Sequence, residues 1–210
     1  MRQLTRLSGL LVAGFLVAGL SAAPGPGHAK TDGAAAEGYA RIEASYTTPD
    51  VTLRTHEGGQ VQLRKLLAGD RPVALQFIFT SCQTVCPMIT AMMAQAQDDL
   101  REVAPDLRIV SISMDPGYDT PARLARYAEK FDAEGDWTFL TGQLDAVRTA
   151  MGAFNAKYGG KNKMYHEPYT YLRAADSDTW VRLNGLMSAG QLKTEFRKAL
   201  ETTAAAVEGR

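Results

Sequence analysis

Residues 72–87 read PVALQFIFTSCQTVCP, and the fold turns on how this stretch is read. Its first half, Pro72 to Phe79, is apolar at nearly every position and has the length of a strand. A strand apolar on both faces belongs in the middle of a sheet that is covered on both sides. The second half holds the chain's two cysteines, Cys82 and Cys86, followed by Pro87. Proline suits the first turn of a helix, where its missing N–H would have had no partner. From Met88 to Val103, Ala, Met, Gln and Leu recur at helical spacing. The stretch therefore predicts a strand, a turn carrying both cysteines, and a helix.

Working outward, Leu107 to Met114 is a second run apolar on both faces. Thr120 is a good cap for a helix over Thr120 to Phe131, with Pro121 at its first position. Trp137 to Leu140 is a third strand candidate, and Leu144 to Tyr158 a third helix. Tyr169 to Ala174 and Thr179 to Leu183 form a hairpin across Asp176-Ser177-Asp178, and Ser188 to Ala206 a last helix. Upstream, Val51 to Leu53 and Val61 to Leu63 flank Gly58-Gly59 as a short N-terminal hairpin. Strand and helix alternate, and an antiparallel hairpin closes a partly parallel sheet. The expected class is α/β, a thioredoxin-like fold with a central mixed sheet flanked by helices.

The chain has 210 residues, enough for one domain that buries a sizeable core. Lys+Arg and Asp+Glu both number 23, so nothing suggests nucleic acid, which needs a basic excess. Arg2 and Arg6 precede the apolar run Leu7 to Leu20, and small residues follow at Ser21, Ala22, Ala23 and Ala29. That is the pattern of a secretory signal peptide over 1–29. The run is at or below the roughly 17–25 residues that span a bilayer, which favours cleavage over retention as an anchor. Residues 30–48, rich in Ala and Gly, read as a flexible linker, and the folded domain as 49–206.

The cysteines sit at the carboxyl end of a core strand, where open α/β sheets place their sites. Backbone N–H groups at the helix start favour a thiolate there. A structural disulfide is one reading, but closing so short a loop stabilises by only about 2 kcal/mol. A redox dithiol and a pair of soft metal ligands are the other two. Spacing alone does not separate them; a third ligand does. His28 falls in the leader. His56, before Gly58-Gly59, reads as a solvated turn residue. His166 lies just before the strand from Tyr169, in a loop that a thioredoxin fold brings opposite the cysteines. Two thiolates and an imidazole suit copper, as Cu(I) or Cu(II). Zinc prefers a fourth ligand, for which Asp115 and Glu167 are the candidates. Met88, Met92 and Met93 read as core or groove residues rather than ligands. A peroxidase would need an arginine at the thiol, and the nearest in sequence are Arg71 and Arg101.

Residues 80–87, TSCQTVCP, and 113–121, SMDPGYDTP, resemble two motifs of the Sco/SenC copper-binding proteins. The resemblance covers about residues 45–205. It implies an exported protein, in the bacterial periplasm and anchored to the inner membrane only if the leader is retained. It further implies assistance in assembling the dinuclear copper centre of cytochrome c oxidase, by copper delivery or thiol reduction. The implied partners are the copper-receiving oxidase subunit, or another copper donor or acceptor, and a thiol reductant. Cys82, Cys86 and His166 carry over as the metal ligands, and Asp115 as a motif residue. The alternative is a thiol–disulfide oxidoreductase using Cys82 and Cys86. Two positions depart from the family pattern. Tyr165 stands where Asp usually precedes the histidine. Pro168 resembles the cis-proline of thioredoxin-like reductases, though base rates predict a trans bond.

Overall fold

The computed structural model describes residues 31–32, 38–156 and 166–208. The signal-peptide reading of 1–29 and Tyr165 lie outside them. Among the described residues one sheet of nine strands runs through the molecule. The strands are β1 (Thr31–Asp32), β2 (Tyr39–Ser45), β3 (Thr52–Thr55), β4 (Gln60–Gln62), β5 (Val73–Ile78), β6 (Arg108–Ser113), β7 (Trp137–Thr141), β8 (Tyr169–Arg173) and β9 (Thr179–Gly185). Their order across the sheet is β1-β2-β9-β8-β5-β6-β7-β3-β4. The helices are α1 (Leu63–Leu66), α2 (Val85–Val103), α3 (Pro121–Lys130), α4 (Leu144–Ala153) and α5 (Ala189–Glu208).

The centre follows the expected pattern. β5, β6 and β7 are parallel, and β8 pairs antiparallel to β5. Every residue of β5 is buried, as an apolar run covered on both faces requires. The parallel register places the end of β5 beside the end of β6, so both loops that follow open on one edge. Thr120 caps α3 through its Oγ1, which accepts from the Arg123 amide, and Pro121 follows at the first turn. The architecture is thioredoxin-like, α/β, with a mixed sheet between helices. No helix among the described residues is long and apolar enough to cross a membrane.

The expected early hairpin forms as β3 and β4, and it joins the sheet through β7. Three expectations need correcting. For its described residues the linker over 30–48 does not hold: Tyr39–Ser45 pairs with β9 along its whole length, and Thr31–Asp32 pairs with β2. Ala- and Gly-rich neighbours hide this strand, and its anchors are remote. Tyr39 Oη donates to Glu195 Oε1 and Arg41 Nε to Glu195 Oε2, and Glu195 is buried in α5. Gly185 makes the pairing possible, since a Cβ there would stand 2.6 Å from the Gly38 carbonyl oxygen. The third helix ends at Ala153 rather than Tyr158. Asn155 takes a left-handed φ of 52°, and the Ala156 amide returns to the Met151 carbonyl. Tyr171 Oη donates to the Phe154 carbonyl left free by this turn. His56 does sit in a turn, but half-buried rather than solvated. Its Nδ1 accepts from the Phe139 amide and its ring meets Phe139 edge-on.

Candidate metal centre

β5 delivers the chain to Thr80, and the turn to α2 carries Cys82 and Cys86. Thr84 stands at the N-cap position of α2, yet its side chain makes no capping bond. The Cys82 sulfur takes that role: the Cys86 amide donates to Cys82 Sγ at 3.5 Å, and Thr84 Oγ1 lies 3.6 Å from it. Burial pushes the Cys82 thiol up. Hydrogen bonds from the Cys86 and Thr84 amides and the Thr84 side chain outweigh that, and the net shift is downward. Cys86 is fully buried, and burial drives its thiol well above the ordinary range. Asp119 and Cys82 push it the same way. Both cysteines are free thiols.

His166 comes from the loop before β8 and is 7% exposed. Its ring packs edge-on against Phe79, and Nε2 lies 3.2 Å from Cys86 Sγ. Nδ1 faces the Glu167 carbonyl oxygen at 3.1 Å. A carbonyl only accepts, so Nδ1 carries the proton. Burial lowers the imidazole's pKa, which keeps the ring neutral and leaves the Nε2 lone pair facing the sulfurs. In the metal-free protein the Cys86 S–H donates to that lone pair.

Cys82 Sγ, Cys86 Sγ and one ring nitrogen of His166 all lie within 4.8 Å of one another. Neither Asp115 nor Glu167 joins the cluster among the described residues. Two sulfurs and one nitrogen fit a soft three-coordinate ion such as copper, and offer zinc no fourth ligand. The imidazole is oriented by a main-chain carbonyl, a role that the carboxylate absent at position 165 could otherwise fill. Pro168 is joined in trans, as are all described peptide bonds.

Asp115 is a turn former: its carbonyl accepts from the Tyr118 and Asp119 amides, and its amide donates to Ser113 Oγ. Met92 and Met93 are buried in the core, whereas Met88 is exposed. Arg71 pairs with Asp136 before β5 begins, and Arg101 binds the Glu134 carbonyl, so neither serves the thiols.

Sequence reasoning passes over Asp119. It is fully buried and accepts from the Thr80 amide, Thr80 Oγ1 and Ser113 Oγ, the last at 2.6 Å. It thereby ties the loop that follows β5 to the loop that follows β6. Its only signal in the sequence is its place as the second acid of the motif over 113–121.

Sequence and fold both relate the chain to known proteins. The "SCO1 protein homolog" of Bacillus subtilis is 34% identical over 148 residues, 68% of this chain and 76% of that protein. Protein SenC of Rhodobacter capsulatus is 30% identical over 127 residues, 58% of this chain and 56% of its own length. Arabidopsis thaliana ScoI, solved with copper bound, superposes with a TM-score of 0.62 at 25% identity, covering 74% of this chain and 98% of that one. BsSco, described as a member of the Sco family of cytochrome c oxidase assembly proteins with a disulfide switch, gives 0.61 at 28%, over 75% and 95%. With the SCO1/SenC model matching residues 40–201, across both motifs and His166, this chain belongs to the SCO1/SenC family.

Proposed function

We infer that this protein is a copper-binding assembly factor for the dinuclear copper centre of cytochrome c oxidase. The observation that carries the reading is the buried cluster of Cys82, Cys86 and His166. Copper is the cargo. Cys82 and Cys86 would hold it as thiolates, which suit Cu(I), and the neutral imidazole of His166 would allow Cu(II) to be held as well. The relatives support this: ScoI of Arabidopsis thaliana crystallises with copper, and BsSco belongs to a family of oxidase assembly proteins. The receiving partner is then the copper-binding oxidase subunit. A thiol reductant is also required, because an oxidising compartment closes the dithiol and thiolates must be free before they take up metal. The leader pattern over 1–29 supports export to the bacterial periplasm.

Anaerobic titration with Cu(I) and Cu(II) tests the assignment. The reduced protein should bind about one ion per chain, Cys82→Ala should abolish binding, and His166→Ala should lose Cu(II) first. Wild-type stoichiometry near zero would overturn it.

One observation favours a second activity of the same residues. The thiols are unequal, Cys82 shifted down and rimmed by a cleft, Cys86 shifted up and enclosed. That is the division between an attacking and a resolving cysteine in thiol–disulfide exchange. His166→Ala should leave such exchange intact.

A further inference from the structure

Beside Cys82 the surface opens into a cleft of about 270 Å³, lined by Thr80, Cys82, Pro87, Tyr118 and Tyr127 and by the basic side chains of α3. Those side chains are Arg123, Arg126 and Lys130. Their spacing of three and four puts them on one stripe of the helix. Among the described residues no ion pair uses any of the three. Arg123 is nevertheless held in place. Its guanidinium lies 3.9 Å from the Tyr118 ring centroid, and Nη1 donates to the Tyr118 carbonyl at 2.6 Å. The charge is oriented without being neutralised. Asp119 cannot supply the missing anion, because its oxygens are buried and occupied by Thr80 and Ser113. Tyr118 and Met88, which follows Pro87, are two of the few large apolar side chains left exposed.

A chain of zero formal net charge thus carries, at the mouth of its dithiol, three cations without an ion pair among the described residues. The cleft is too small for a folded element and suits one or two side chains. We propose that it receives an acidic segment of the client protein, an Asp or Glu close to the client's own cysteine, and so sets the client sulfur against Cys82. Tyr118 supplies an apolar rim that shields these pairs from water. This deepens the reading of the site given above and rests on it, since Cys82 must be the sulfur that meets the client.

The test uses two peptides of equal length, each carrying one cysteine as a symmetrical disulfide, one flanked by Asp and Glu, the other by Lys. The Cys82 thiolate attacks a peptide sulfur, forming a Cys82–peptide disulfide; one peptide thiolate leaves with the electron pair and takes a proton from water. The Cys86 sulfur then bonds to Cys82, loses its proton and releases the second peptide thiol. Two protein thiols are oxidised and one peptide disulfide is reduced. At low salt the acidic peptide should react about tenfold faster than the basic one, a preference that salt screens away. Arg126→Glu with Lys130→Glu should reverse the order, and Arg126→Gln with Lys130→Gln should abolish it. The ratio between wild type and variants cancels any difference in the peptides' own thiols. Equal rates in the wild type, a preference unmoved in the variants, or no reaction with either peptide would overturn the proposal. Cu(I) titration separates the two levels: a lost preference with one ion still bound per chain removes the acidic client alone, whereas no binding by the wild type removes the copper reading.

Discussion

The two arms of the metal centre are held in different ways. The cysteine arm is fastened from outside itself: a buried carboxylate, Asp119, accepts from Thr80 in front of the thiols and from Ser113 at the end of β6. The Cys82 sulfur also receives the first amides of α2. Among the described residues, the histidine arm is held through the adjoining Glu167 carbonyl and a ring contact with Phe79. The sulfur side is therefore preset by the fold, and the nitrogen side by a local turn. A site that must both take and release an ion gains from such inequality, because one ligand can leave without unmaking the other two.

The largest break in this comparison should come from Asp119→Ala. It strips the buried Ser113 hydroxyl and the part-buried Thr80 hydroxyl and amide of their common acceptor, and should cost about 3 kcal/mol in denaturant unfolding. It should also weaken Cu(I) binding without altering any ligand. A loss below 1 kcal/mol would mean that the two loops hold their places without the carboxylate.

A smaller effect should sharpen the histidine side. Burial depresses the His166 pKa below its ordinary 6.5, so the unfolded chain takes up a proton that the folded one refuses. The contribution of this group to stability is complete above pH 6.5 and is lost as pH falls below that value. Against His166→Gln, the wild type should lose ground between pH 7.5 and pH 5. The check is paired urea unfolding of the reduced proteins at the two pH values; parallel curves would mean a ring that water reaches. The smallest effect should be Glu167→Ala. The side chain is exposed and only the main-chain carbonyl orients the ring, so stability should move by no more than about 0.5 kcal/mol and copper stoichiometry not at all. A clear loss would assign the carboxylate a part in holding the ion.

What the sequence exposed and what it concealed follow from where the stabilising contacts lie. Val73–Ile78 was legible because burial on both faces leaves a local apolar run. Cys82 and Cys86 were legible because their chemistry and spacing are local, and His166 because a known topology brings its loop round. Tyr39–Ser45 was not, because its partners are β9 and Glu195, more than 130 residues away, and it adjoins an Ala- and Gly-rich stretch. Asp119 was visible as a letter in a motif, but the three donors it gathers come from two strand ends that only the parallel pairing of β5 and β6 sets side by side. The cations of α3 carry no signal of their place in the sequence, because only the tertiary structure brings that face beside Cys82.

The contact between Cys86 Sγ and His166 Nε2 has a last consequence. In the metal-free centre the Cys86 hydrogen is shared with His166 Nε2, so two of the three donor atoms are engaged with each other. An arriving ion must expel that hydrogen, so loading is an exchange of metal for acid. Uptake is then governed by the acidity of the surroundings as well as by the supply of metal. A client that hands a proton back to Cys86 as it draws the ion away would reseal the vacated centre in the same motion.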